Sequence, residues 1–151
     1  MTIKSLLDES VRQSCIDRIN QLTPESKPAW GKMTVAQMMA HCAEVQEVMN
    51  GKPLVGTPFF VKLLKGPIRK VVFNDVPYSR NARTHPQYLI EGERVFEDEK
   101  ANLLAAMNQL GALTEAERRA INHVLFGAMT DAELGWGCYK HLNFHLEQFG
   151  V

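Results

Sequence analysis

Three of the five histidines in this 151-residue chain are spaced so that their rings can meet. His141 and His145 are four residues apart, which in a helix means about 40° of rotation and roughly 6 Å of rise, so both imidazoles can address one point. His41 lies on the apolar face of another predicted helix, between Met38 and Val48. Neutral imidazoles are good ligands for divalent metals, and three protein ligands with an open position are typical of a catalytic site. The pattern predicts a mononuclear metal centre for Zn, Ni, Fe or Mn held by His41, His141 and His145.

Two better-known histidine motifs are absent. No glutamate follows His141, as a zinc-protease HExxH helix would require, and the paired Glu-x-x-His motifs of di-iron bundles are missing. A structural interpretation stays open, in which the three rings are core histidines that donate to backbone carbonyls.

Other polar residues near the three histidines are candidates for supporting roles. Gln37 and Glu44 lie one helical turn to either side of His41 and could orient a ligand or act as a base, although a helix cap and a solvated carboxylate are the default interpretation. Cys138 precedes His141 by one turn, but such a cysteine is more often a small core residue than a fourth ligand. Gly137, also one turn before His141, would leave room for a bound group. His85 and His123 fall in or near loops, where we expect surface or capping roles.

Apolar spacing and capping signals place these residues on helices. Residues 3–22 carry an apolar stripe at steps of three and four, and capping boxes begin at Thr34, Thr114 and Thr130. The predicted helices cover residues 3–22, 34–50, 93–110, 114–126 and 130–149. Residues 51–92 hold five of the seven prolines and read as an irregular crossover, with a short helix over 58–65 and a weak strand candidate over 71–76. The fold class is therefore predicted as all-α: a single domain over 1–151, a four-helix bundle with a long crossover between its second and third helices and a short extra helix before the last.

Composition narrows the function classes. Seventeen Lys and Arg residues balance seventeen Asp and Glu residues, so the basic excess of a typical nucleic-acid binder is absent. The sequence has neither a bilayer-spanning apolar run nor a signal peptide, and its three cysteines cannot all pair with one another, so we expect a cytoplasmic protein. The segment 62–83 carries six basic residues and one acid. Three roles stay open for this segment and the apolar residues near it: attraction of an anionic cosubstrate, contact with a membrane, or formation of a homodimer. A solvated loop is the default interpretation.

The histidine-bearing segments resemble the DinB-like superfamily, in particular a small branch of chains of similar length. The resemblance covers nearly the whole chain and is carried by residues 30–34, 37–41, 139–145 and 148–150, of which the two histidine-bearing segments are the specific part. It implies a helical bundle in which one histidine of the second helix and an H-x₃-H pair of the last helix hold a divalent metal, matching His41, His141 and His145. Phe144 departs from the pattern, because many relatives in this branch carry a further histidine there.

The resemblance also implies a chemistry. Members with an assigned activity include transferases that use low-molecular-weight thiols, such as bacillithiol or mycothiol, and a thiol-dependent isomerase. A thiol has a pKa near 8.5 and is much more easily deprotonated than water, so metal-assisted attack of a thiol on a small electrophile is chemically reasonable. Metal-dependent hydrolysis and a metal-binding or structural bundle without turnover are the alternatives.

Overall fold

A computed structural model describes residues 3–151 of the chain. Its helical elements are α1 (Glu9–Ile19), α2 (Val35–Met49), α3 (Phe59–Leu63), α4 (Lys65–Phe73), α5 (Phe96–Ala112), α6 (Glu115–Ala120) and α7 (Asp131–Gln148), with a 3-10 turn over Pro86–Tyr88. Two short antiparallel strands, β1 (Asn122–His123) and β2 (Gly127–Ala128), form a hairpin between α6 and α7. The protein is therefore mostly helical, as the sequence predicts.

The three threonine capping boxes begin helices where expected. Thr34, Thr114 and Thr130 each accept a hydrogen bond from the backbone N–H three residues on, and that third residue's side chain bonds back to the threonine N–H. These reciprocal bonds satisfy two backbone donors that a helix start otherwise leaves unpaired. The starts of α2, α6 and α7 are confirmed.

The first helix is shorter than predicted. It begins at Glu9, because Asp8 occupies the N-cap and accepts a hydrogen bond from the Ser10 N–H, and it ends at Ile19. Leu6 and Leu22 nevertheless remain buried on either side of it. The apolar residues over 3–22 therefore mark where the chain contacts the core, and this stretch is longer than the helix itself.

One apolar core joins the long helices. α2 packs against α5 and α7, and α1 packs against the same two helices. The fully buried side chains at their centre include Met38, Met39, Leu103, Met107 and Leu146. This packing fixes the middle of α2 opposite α7, which is where the histidines lie.

The crossover contains more helix than the sequence indicates. The predicted short helix is present as α3, but the strand candidate over 71–76 is wrong, because α4 runs through Phe73. The Lys140 ammonium donates to the carbonyl oxygens of Val71 and Asn74 at 2.6 and 3.0 Å. A cation at the C-terminal end of a helix stabilises the carbonyls that lack helical partners, so α7 fastens the end of α4.

The segment before α7 also differs from the prediction. α6 ends at Ala120 and does not continue towards Gly127, since Ile121 adopts an extended backbone. The hairpin follows, with Gly127 at a φ of +67° and the Leu125 N–H donating to His123 Nδ1 at 3.1 Å. None of the helices over residues 3–151 combines the length and apolar character that crossing a bilayer requires.

Candidate metal centre

The structure brings His41, His141 and His145 together. One ring nitrogen from each lies within 4.8 Å of the other two, and His41 Nε2 is 3.1 Å from His141 Nε2. The ring centroids are separated by 4.8 to 5.0 Å. His41 comes from the middle of α2 and the other two from successive turns of α7. Residues a hundred positions apart in sequence therefore address one point.

A backbone carbonyl fixes the tautomer of His41. Its Nδ1 lies 2.8 Å from the carbonyl oxygen of Tyr88, in the 3-10 turn. A carbonyl oxygen only accepts, so Nδ1 must carry the proton and donate it. In the neutral ring, Nε2 then keeps its lone pair and directs it towards the other two histidines.

A chain of three groups fixes His145 in the same way. The Gln148 Nε2 donates to the Trp30 carbonyl oxygen at 2.7 Å, and this sets the orientation of the amide. Gln148 Oε1 is consequently the atom that faces His145 Nδ1, at 2.8 Å. His145 donates from Nδ1, and its Nε2 lone pair is free for a ligand role.

Burial keeps all three rings neutral. Desolvation lowers the pKa of His41, lowers that of His145 to about 4 and lowers that of His141 well below its usual value. The positive charge that each ring would carry also disfavours protonation of its neighbours, most clearly at His141. All three rings are therefore uncharged at neutral pH, and His41 and His145 each keep an Nε2 lone pair.

The donor set fits a divalent transition metal. Bonds of about 2.0–2.1 Å from nitrogen to zinc in a tetrahedral arrangement place two ligand nitrogens roughly 3.3 Å apart. The 3.1 Å between the Nε2 atoms of His41 and His141 is close to that spacing without any rearrangement. Metal-ligating histidines also usually donate their other ring N–H to a hydrogen-bond acceptor, as His41 and His145 do here. His41, His141 and His145 are the residues that would hold the ion.

Gln37 and Glu44 serve other partners. The Gln37 side chain completes the capping box at Thr34 and donates to the Gly92 carbonyl oxygen at 2.9 Å. Glu44 accepts from Lys52 and, at 2.7 Å, from the Gln87 amide. Since Gln87 neighbours Tyr88, Glu44 holds the turn whose carbonyl orients His41. Its contribution to the cluster is indirect.

The cysteines near the cluster are packed in the core. Cys138 is buried, receives a 3.4 Å contact from the Gln46 amide, and has its pKa raised by burial to about 12. Burial also raises the pKa of Cys42. Neither belongs to the group of ligand atoms identified over residues 3–151, which contains histidines alone.

Gly137 does not leave room for a bound group. A Cβ at this position would lie 2.8 Å from Cε1 of Phe73 and 3.5 Å from Cε of Met49. The space that was predicted to admit a ligand is occupied by the Phe73 ring, because α4 packs against α7. The glycine permits this close approach of the two helices.

Aromatic rings line one side of the cluster. Tyr78 lies edge-on to both His141 and Phe144, with centroids 6.4 and 5.7 Å apart, and Trp30 contacts the other side of Phe144 at 5.7 Å. The Arg80 guanidinium stacks over Trp30 at 4.3 Å. Phe144, which departs from the pattern that the resemblance implies, is thus part of an apolar wall. Tyr78 and Tyr88 carry no signal in the sequence, because their proximity to the cluster depends on the path of the crossover.

The remaining histidines have local roles. His85 caps the 3-10 turn by accepting a hydrogen bond from the Gln87 N–H, which confirms the predicted capping role. His123 is buried and stacks on Phe126 with a centroid distance of 4.1 Å. Because its Nδ1 accepts from Leu125, its Nε2 carries the proton, and this donor has no hydrogen-bond partner within residues 3–151.

The buried His123 should make the stability of the fold sensitive to acid. Burial, with a smaller contribution from His85, lowers its pKa from 6.5 to about 4. The unfolded chain therefore binds more protons between these values, so the stability contribution is present above about pH 6.5 and is lost as the pH falls towards about 4. A shift of this size corresponds to about 3 kcal/mol. In EDTA, we expect urea denaturation at pH 7, 6 and 5 to show a falling free energy of unfolding, with a smaller fall for His123→Gln. An equal fall in both proteins would contradict this assignment.

Comparison with known proteins adds no relative from which function could be transferred. No protein-family model, curated protein or solved structure matches this chain.

Proposed function

We propose that this chain is a mononuclear divalent-metal-dependent enzyme of the DinB-like superfamily, a cytoplasmic four-helix bundle that transfers a low-molecular-weight thiol to a small electrophile. The observation that carries the proposal is the convergence of three neutral imidazoles, two of them oriented by oxygen acceptors on Nδ1. The Nε2 lone pairs of His41 and His145 are thereby left available to a ligand. The order of the helices and the three ligand positions also agree with the resemblance.

The three ligands suit activation of a weakly acidic group. A divalent cation held by three neutral ligands keeps its full charge and lowers the pKa of a thiol or water that contacts it. The chain's own residues supply the setting: His41 and His145 are nearly inaccessible to solvent, while His141 is half-buried and borders Tyr78. The aromatic wall of Tyr78, Phe144 and Trp30 favours an apolar substrate beside the cluster.

Thiol transfer to a haloarene tests the proposed activity. In the reaction a carbon–sulfur bond forms, the carbon–chlorine bond breaks, chloride leaves and the thiol proton passes to solvent. With zinc-, nickel- or manganese-loaded untagged protein, cysteine, bacillithiol or mycothiol should consume chlorodinitrobenzene faster than the buffer does, and His141→Ala should reduce the rate to the buffer background. His123→Ala, which removes a histidine outside the cluster, should keep the activity.

Three outcomes would redirect the proposal. Hydrolysis of activated esters without added thiol, lost in His141→Ala, would identify a metal-dependent hydrolase. Stoichiometric metal without turnover of either substrate class would identify a metal-binding module. Absence of bound metal from untagged protein, before and after incubation with each ion, would leave a structural bundle.

A further inference from the structure

The exposed apolar side chains of this protein are concentrated on one segment. Of ten large hydrophobic residues exposed within residues 3–151, seven lie between Val55 and Val76. Phe59 is 77% exposed, Leu63 70% and Phe60 65%. Neither α3 nor α4 has a buried residue. Monomeric proteins rarely expose such a contiguous set, and those that do generally use it to bind a partner or a membrane.

The same segment is strongly basic. Residues 53–74 contain Lys62, Lys65, Arg69 and Lys70 and no acidic residue. Arg69 is engaged by Glu133 and the Phe126 carbonyl oxygen. The three lysines are exposed, and none of the ion pairs over residues 3–151 involves them. We call the exposed residues Phe59, Phe60, Leu63 and Leu64, together with these lysines, the α3–α4 surface.

We propose that the α3–α4 surface docks the protein on an anionic lipid bilayer. Phenylalanine and leucine beside lysine are the residue types with which interfacial helices enter the headgroup region, where apolar side chains are buried and cations meet anionic lipids. A bilayer of this kind provides both apolar volume and negative charge, which complement the two features of the surface. The docked segment lies on the membrane and does not cross it.

A second copy of the chain is a poorer occupant. A two-fold dimer would place this surface against itself, because such an interface uses the same patch on both subunits. Lys62, Lys65 and Lys70 of both copies would then share one interface, in which the segment supplies no acid to pair with them. Like charges at an interface oppose association, whereas anionic headgroups attract all three lysines.

The surface is firmly joined to the rest of the fold. Lys140 of α7 bonds three oxygens of Val71 and Asn74, and Phe73 packs against Gly137. Docking would therefore hold the whole molecule at the bilayer. None of the three histidines belongs to the α3–α4 surface, so the proposal of a metal centre and the proposal of docking can be tested separately.

Cosedimentation of the full chain with vesicles tests the docking. We expect binding to vesicles of phosphatidylcholine mixed with phosphatidylglycerol, little binding to phosphatidylcholine alone, and release in about 0.5 M salt, where surface charges are screened. The double variant Lys62→Glu, Lys65→Glu should weaken binding about tenfold or more. The double variant Phe59→Ser, Leu63→Ser should weaken it about a hundredfold, because two exposed apolar side chains no longer enter the lipid.

Matched variants outside the surface serve as controls. Lys27→Glu with Lys32→Glu makes the same change in net charge, and Ile3→Ser with Val95→Ser removes two apolar residues that are also exposed. Both should bind like the unaltered protein. Equal binding to neutral vesicles, or no binding to anionic vesicles at low salt, would overturn the proposal. Self-association in sedimentation velocity, lost in the α3–α4 variants without any vesicle binding, would overturn it in favour of an interface between copies.

Discussion

Treating the metal-loaded protein with EDTA is expected to lower its melting temperature by roughly 5 to 10 °C, and the same treatment should leave His141→Ala unchanged. A ligand that binds the native state at about one hundred times its dissociation constant stabilises it by about 2.7 kcal/mol. In a chain of this length each kcal/mol corresponds to roughly 2 to 4 °C. The size of the shift follows from these two relations.

His141 is the decisive position because, within the cluster, it joins the histidine pair of α7 to the histidine of α2. Its Nε2 lies 3.1 Å from that of His41, and His145 is one turn away on the same helix. Loss of a group that only orients a ligand costs about 10- to 100-fold in metal affinity, and loss of the ligand itself should cost more. Elemental analysis of untagged His141→Ala should therefore find no stoichiometric metal.

His123→Ala separates loss of metal from loss of stability. Removing this buried ring, which stacks on Phe126, should lower the melting temperature with and without metal by a similar amount. The difference caused by EDTA should persist, since His123 is outside the cluster. If EDTA left the melting temperature of metal-incubated wild-type protein unchanged, the three histidines would be structural.

The features that local chemistry controls were predicted best from the sequence. The capping boxes at Thr34, Thr114 and Thr130 need only four consecutive residues, and each begins a helix. The convergence of His141 and His145 follows from helical geometry alone. The meeting of both with His41 additionally required that two apolar stripes face each other, and the shared core supplies that condition.

The crossover was beyond this kind of reasoning. The short helix α3 was predicted, but α4 was not, because the β-branched Val71 and Val72 favour a strand until Lys140 caps α4. The partner of His41 is a backbone carbonyl, to which any residue type at position 88 would contribute equally. Phe73 likewise fills the space beside Gly137 from a helix that the sequence did not indicate. Contacts set by the path of the chain, rather than by residue type, account for these differences.

Replacing Gln148 by methionine is expected to reduce metal affinity by about 10- to 100-fold, although Gln148 is not a ligand. The amide oxygen holds the Nδ1 proton of His145 at 2.8 Å, and methionine has a similar shape without that acceptor. His145 would then lose the bond that fixes its tautomer and ring orientation. Titration with a competing chromophoric chelator measures the change, and the melting temperature without metal reports the cost in stability.

Gln148→Glu is the matched control, because the two variants differ at one contact and share the other. Both lose the 2.7 Å donor to the Trp30 carbonyl oxygen, so both should lose stability, by about 1 to 3 kcal/mol for a buried acceptor left unpaired. Only glutamate keeps an oxygen for His145, and we expect its metal affinity to stay within about threefold of the wild type. Equal loss of affinity in both variants would mean that Gln148 acts by anchoring Trp30. A difference confined to metal affinity would assign the orientation of His145 to this amide, because neither variant keeps the donor to Trp30.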